Sequence, residues 1–203
     1  MRQVSLKELG EIALECKDDL YAEARSVGQE TPKLFLHWTA GSYFAYFDDY
    51  HINVNGDGEI MLSTDDLAEV LEHTWKRNTG NIGIALCCAM DAGSQDLGGY
   101  PPTEPQIEIM SQIIAKLAIA LDIPITKETV LTHGEAAANE DGWNSHLRYS
   151  WWYDEYDDGD TRGDLEYLGT KESPVYNPWA TDGSRGGDVL RGKANFYKNY
   201  WEK

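Results

Sequence analysis

The chain has 203 residues, 41% of them hydrophobic, which suffices for one well-buried core and falls short of two. Seventeen basic against thirty-five acidic residues give a formal charge of −18, which repels nucleic acid and anionic lipid and leaves no basic stripe for either. Cys16, Cys87 and Cys88 are odd in number and two of them are neighbours, so no disulfide framework is expected.

The N-terminal run MRQVSLKELGEIALECK carries charges every few residues, where a secretory signal needs an unbroken apolar stretch. No later run reaches membrane-spanning length, so the expectation is synthesis in the cytoplasm without membrane insertion. From residue 5 to about 26, Leu6, Leu9, Ile12, Ala13, Cys16 and Leu20 recur at helical spacing, and Ser5 with Glu8 fits a capping box. Residues 33–39, KLFLHWT, predict a short strand with His37 near its end. HINVNGDGEIM, residues 51–61, alternates around turn chemistry and predicts a hairpin. NIGIALCC, residues 81–88, is an apolar strand suited to the middle of a sheet.

Thr103 and Gln106 can cap a second helix, whose stripe is Ile107, Met110, Ile113, Ile114, Leu117 and Leu121. Residues 129–132 then predict a strand that delivers His133 at its exit. From Gly134 the pattern fades into an acidic, aromatic segment expected to be mostly loop. The terminal KANFYKNYW suits a short helix or an extended stretch. Together these elements predict a single α/β domain over 1–203, a central mixed β-sheet covered by helices. An N-terminal helical part (1–30), an acidic aromatic insertion (135–163) and a C-terminal extension (170–203) flank its centre.

His37 and His133 each stand at the end of an apolar strand, where side chains of an α/β sheet converge on ligands. A catalytic zinc site needs three protein ligands and an open position. After His133, Glu135, Glu140, Asp141, Asp154, Glu155, Asp157, Asp158, Asp160 and Asp164 all qualify as the third. A strand-end histidine is more often a hydrogen-bonded core residue, so spacing alone does not decide.

The segments LFLHWTAG, DYHINVNGDGEI, HTWKRNTGNIGIAL, PPTEPQIEIMSQII, VLTHGEAA and TRGD occur in order. Taken together they resemble the zinc amidases of the N-acetylmuramoyl-L-alanine amidase type 2 family, which includes phage endolysins, recycling amidases and peptidoglycan-recognition proteins. The resemblance, over about 33–168, implies one catalytic Zn2+ held by His37, His133 and Asp164. It implies catalytic roles for Tyr50 and for Arg162, the latter in place of the family's lysine, and substrate contacts from His73 and Asn78. Arginine keeps the positive charge but cannot hand over a proton. Ala85 stands where recycling amidases have a glutamate, and the stretch between His133 and Asp164 is longer than the family's.

The implied reaction is hydrolysis of the amide between N-acetylmuramic acid and L-alanine, with peptidoglycan or muropeptide as substrate. Delivery to the wall would come through phage lysis or a secretion apparatus. Alternatives are a non-catalytic peptidoglycan-binding module of the same fold and a zinc amidase acting on another N-acyl amino acid. His51 is expected to face away from Tyr50 into the core, His146 to lie at the surface, and Cys87 and Cys88 to be inert packing. Trp143, Trp151, Trp152 and Tyr153 suit either a lip over a sugar chain or ordinary loop packing.

Overall fold

The computed structural model describes residues 1–92, 97–145, 163–166 and 186–203. In chain order it contains β1 (Arg2–Val4), α1 (Leu6–Glu15), α2 (Lys17–Ser26), β2 (Leu34–Trp38), β3 (Ile52–Val54), β4 (Ile60–Leu62) and β5 (Ile82–Leu86). There follow α3 (Glu104–Leu121), β6 (Val130–Thr132), α4 (His133–Ala137) and α5 (Gly186–Trp201). The strands form one mixed sheet in the order β1-β4-β3-β5-β2-β6. Four successive strands, β3, β5, β2 and the edge strand β6, run parallel, and the β3–β4 hairpin and β1 add antiparallel pairs at the other side.

Alternation along the strands separates two faces. Leu34, Leu36 and Trp38 of β2, Ile82, Ile84 and Leu86 of β5, and Ile52 and Val54 of β3 join one buried cluster with apolar residues of α1, α3 and α5. Phe35 lies in a separate small cluster with Leu131 and Ala136. By the same alternation His37, Gly83, Ala85 and Asn53 share Phe35's face. α1, α3 and α5 thus cover one side of the sheet, and the polar residues of interest lie on the other, with α4.

α3 starts from a complete capping box between Thr103 and Gln106, with Pro105 in its first turn, and ends at Asp122 in the left-handed region (φ 59°). Its Gln106, fully buried, donates from Nε2 to the carbonyls of Val54 and Cys87, tying the helix to the ends of β3 and β5. Among the described residues no helix is long and apolar enough to cross a membrane.

Three local expectations differ from the structure. The helix expected over 5–26 is divided at Cys16 (ψ −2°), which caps α1 and precedes α2, and whose thiol reaches the Asp65 carbonyl. Arg2–Val4, expected to belong to the N-terminal helical part (1–30), pairs with β4 as an edge strand. The segment after His133 opens as helix rather than loop, because Thr132 and Glu135 form a reciprocal capping box.

Candidate metal centre

Two of the four parallel strands bring the central histidines together by register. Leu36 of β2 is level with Thr132 of β6, so the next residues, His37 and His133, emerge side by side. Their ring centroids are 4.7 Å apart, edge to face. Asp164 closes the group: its Oδ2 lies 3.3 Å from His37 Nδ1 and 3.7 Å from His133 Nδ1. One nitrogen from each imidazole and one carboxylate oxygen thus lie within 4.8 Å of one another.

Asp164 belongs to the short described segment 163–166, which is anchored by the two residues that follow the carboxylate. Leu165 is fully buried in the main core although its φ of 64° is left-handed, a conformation that costs a leucine roughly 1–2 kcal/mol. Glu166 accepts from the Thr132 hydroxyl at 2.8 Å, and its backbone carbonyl accepts from Gly186 N–H at 3.1 Å. Burial alone would raise the Asp164 carboxyl, but its interactions with His133 and His37 outweigh that and hold it well below the usual carboxylate range. Asp164 is therefore an anion at neutral pH, the form a metal ligand must take.

The donor set, two imidazole nitrogens and a carboxylate, is one that catalytic zinc sites use. His37 is fully buried, whereas the His133 side chain keeps 13% of its surface exposed, so the group is closed on the sheet side and reached from His133's side. Behind the ligands, His37 Nε2 lies 3.2 Å from Thr74 Oγ1. A ring nitrogen held in this way fixes the orientation of the other one, as supporting contacts do in metal sites. The residues present fit a zinc ion.

Tyr50 packs its ring 5.1 Å from that of His37 and points its hydroxyl at the Trp38 carbonyl (3.4 Å). His73, expected at a substrate-facing loop, is instead 6% exposed, with its ring against Phe35, His37 and His51. Burial, reinforced by the neighbouring imidazoles, pushes its pKa well below 6.5, so it is neutral. Asn78 accepts the backbone N–H groups of His73 and Thr74 through Oδ1, so its side-chain oxygen shapes the loop. His51 is buried as expected: its Nδ1 accepts from Gly83 N–H and its Nε2 donates to the Glu69 carbonyl.

Arg77, fully buried, ties this loop to the chain beyond α4 through Asp141 (2.7 Å), Asn139 (2.6 Å) and the Trp143 carbonyl (2.6 Å). Lys33 pairs with the same Asp141, and both cations lie against the Trp143 ring, which marks that tryptophan as packed. Burial pushes the Cys87 thiol up to about 12 and raises the Cys88 thiol well above its ordinary value, so neither supplies a ready thiolate. Arg162, His146, Asp160, Trp151, Trp152 and Tyr153 lie outside the described residues.

Sequence reasoning missed Thr74, whose neighbours His73-Thr74-Trp75-Lys76-Arg77 read as a solvated loop. It also missed the pair between Glu135 and Arg191, which lie 56 positions apart. Comparison with curated proteins finds no match. The solved structure of wild-type Drosophila PGRP-LB is similar at 14% identity and a TM-score of 0.42, over 76% of this chain and 96% of that one. The family described as N-acetylmuramoyl-L-alanine amidase matches residues 27–146, more than half of the chain and a span that includes His37 and His133. The chain belongs to the N-acetylmuramoyl-L-alanine amidase family.

Proposed function

We propose that this protein hydrolyses the amide bond between N-acetylmuramic acid and L-alanine in peptidoglycan, using one zinc ion held by His37, His133 and Asp164. The observation that carries the reading is the convergence of these three side chains, from β2, the exit of β6 and a distant segment, in a chain of this family. Zinc bound there would polarise the amide carbonyl and lower the pKa of a water to about 7. The remaining roles fall to the chain itself. Tyr50, its ring tilted against that of His37, is suited to orienting the attacking water and assisting proton transfer. Arg162 supplies a fixed positive charge for the developing oxyanion and cannot act as an acid.

The test is hydrolysis of muropeptides by protein stripped with a chelator and then reloaded with zinc, with the products read by mass spectrometry. Activity should vanish and return, and the product should carry a free L-alanine amine beside an intact glycan. Separately, His133→Ala and Asp164→Ala should each abolish stoichiometric zinc. Full activity without metal would end the reading, and muropeptide binding without cleavage would point to a non-catalytic module.

A further inference from the structure

A cavity of about 530 Å3 opens between the turn that leads into β2, the turn that leads into β6 and the chain beyond α4. Gln29, Glu30, Thr31 and Lys33 line it from the first, Glu128 from the second and Trp143 from the third. His37 stands near the carboxyl end of β2 and His133 just past that of β6, so the cavity and the metal centre occupy opposite ends of the same two parallel strands. From Lys33 to His37 the strand advances roughly 13 Å. The cavity is of a size that suits a small molecule.

Its walls carry both signs of charge. Lys33 is 7% exposed, and its ammonium is held by Asp141 and lies 5.6 Å from the centre of the Trp143 ring. An ammonium has three N–H donors, so one carboxylate does not exhaust it. Glu30 and Glu128 are exposed, and the charge of Glu128 acts on Lys33. Gln29 is 5% exposed, and its Oε1 meets no donor among the described residues. An anion entering here would face the two glutamates and a cation would face the lysine, so a net charge of either sign is disfavoured. Hydroxyl groups satisfy both, since they donate to carboxylate and amide oxygens and accept from an ammonium. Trp143, half-buried, has Lys33 and Arg77 against its ring and still forms one wall, an apolar plate suited to the C–H face of a sugar ring.

We propose that this cavity is an accessory site for a neutral, N-acetylated sugar ring of the wall glycan, at the end of the sheet away from the metal centre. The preference for neutral hydroxyls comes from the cavity itself, and the choice of an N-acetylated glycan rests on the peptidoglycan reading. Glu30 and Glu128 accept from sugar hydroxyls, Lys33 donates to one, and Trp143 carries the ring. A second hold of this kind keeps the protein on its substrate by avidity, where a formal charge of −18 supplies no attraction to an anionic wall.

The experiment titrates the full 15N-labelled chain with a β-1,4-linked tetramer of N-acetylglucosamine and follows backbone, indole and side-chain amide signals. Trp143, Gly142 and the Gln29 amide should shift together and saturate. Glu128→Ala should weaken this binding on the order of 10-fold, the loss of one charge-assisted hydrogen bond, and Glu128→Gln, which keeps an accepting oxygen, should weaken it less. Thr31→Trp, which fills the cavity, should abolish it, and a Thr31→Trp protein that binds as well as the wild type would refute the site. Shifts confined to the surroundings of Tyr50 and His133 would overturn the accessory site and leave the metal reading untouched. Cavity signals that answer to a lysine-containing peptide and not to the tetramer would overturn the sugar as its ligand. Binding is read without turnover, so a protein that holds the tetramer at the cavity but hydrolyses no muropeptide would overturn the hydrolytic reading alone.

Discussion

Gly83 shows how closely the residues around the site are fitted. A Cβ built on it would lie 2.6 Å from His73 Cγ, so β5 leaves room for that imidazole only by having no side chain there. Gly83→Ala should push His73 toward Thr74 and destabilise the fold by about 1–3 kcal/mol, an overpacking effect. It should also weaken zinc binding. Urea unfolding and chelator competition on the same preparation check both, and an unchanged midpoint would mean the ring has slack. His37 and His133 were readable in the sequence because each ends an apolar strand. Asp164 was not readable from composition, since it is the last of nine carboxylates from Glu135 through Asp164 and only family resemblance singled it out. His73 and Thr74 sit among polar neighbours that look solvated, and nothing local marks their burial.

At the scale of elements, α5 is joined to the turn that carries His133. Arg191 donates to both carboxylate oxygens of Glu135, at 2.7 and 2.8 Å, and to the Val130 carbonyl at 2.9 Å. Glu135 is fully buried and caps α4 through Thr132 N–H, so the pair braces the start of that helix from the C-terminal side of the chain. Arg191→Met would leave the buried Glu135 with only the Thr132 N–H at 2.9 Å and the more distant Lys127 ammonium at 3.8 Å, and about 3–5 kcal/mol of stability should be lost. Adding Glu135→Met should recover much of it, since replacing a whole buried pair with apolar side chains is often nearly neutral. Denaturant unfolding of the three proteins separates these outcomes, and a double variant no better than the single would contradict the argument. The sequence left this helix ambiguous because it opens on Gly186-Gly187, poor helix formers. Gly187 is needed because a Cβ there would come within 2.8 Å of Glu135. The Thr132-His133-Gly134-Glu135 capping signature was legible but was masked by the acidic segment that follows it.

For the whole molecule, buried imidazoles and carboxylates set the response to acid. Burial lowers the pKa of His51 and His73 below the ordinary 6.5, so the folded protein resists protons that the unfolded chain accepts. Their contribution is complete above about pH 6.5 and is lost as pH falls from there toward their folded values. Asp164 and Asp141 are held below the ordinary carboxylate value by their partners against the opposing effect of burial, so a second loss begins below about pH 4. Metal-free protein followed by urea denaturation from pH 8 to pH 3 should show both declines. A flat profile between pH 7 and pH 5 would mean that the buried histidines do not resist protonation. The broad architecture was legible because period-two and helical patterns are strong in the centre of the chain. The division of the sheet into a helix-covered face and a polar face appears only once the strand order is known.

The backbone bond between Gly186 and Glu166 joins the two described ends that flank residues 167–185 into one fixed junction, two positions from the Asp164 carboxylate. Insertions, deletions or a grafted targeting peptide can therefore accumulate at that junction while the carboxylate a few bonds away keeps its aim.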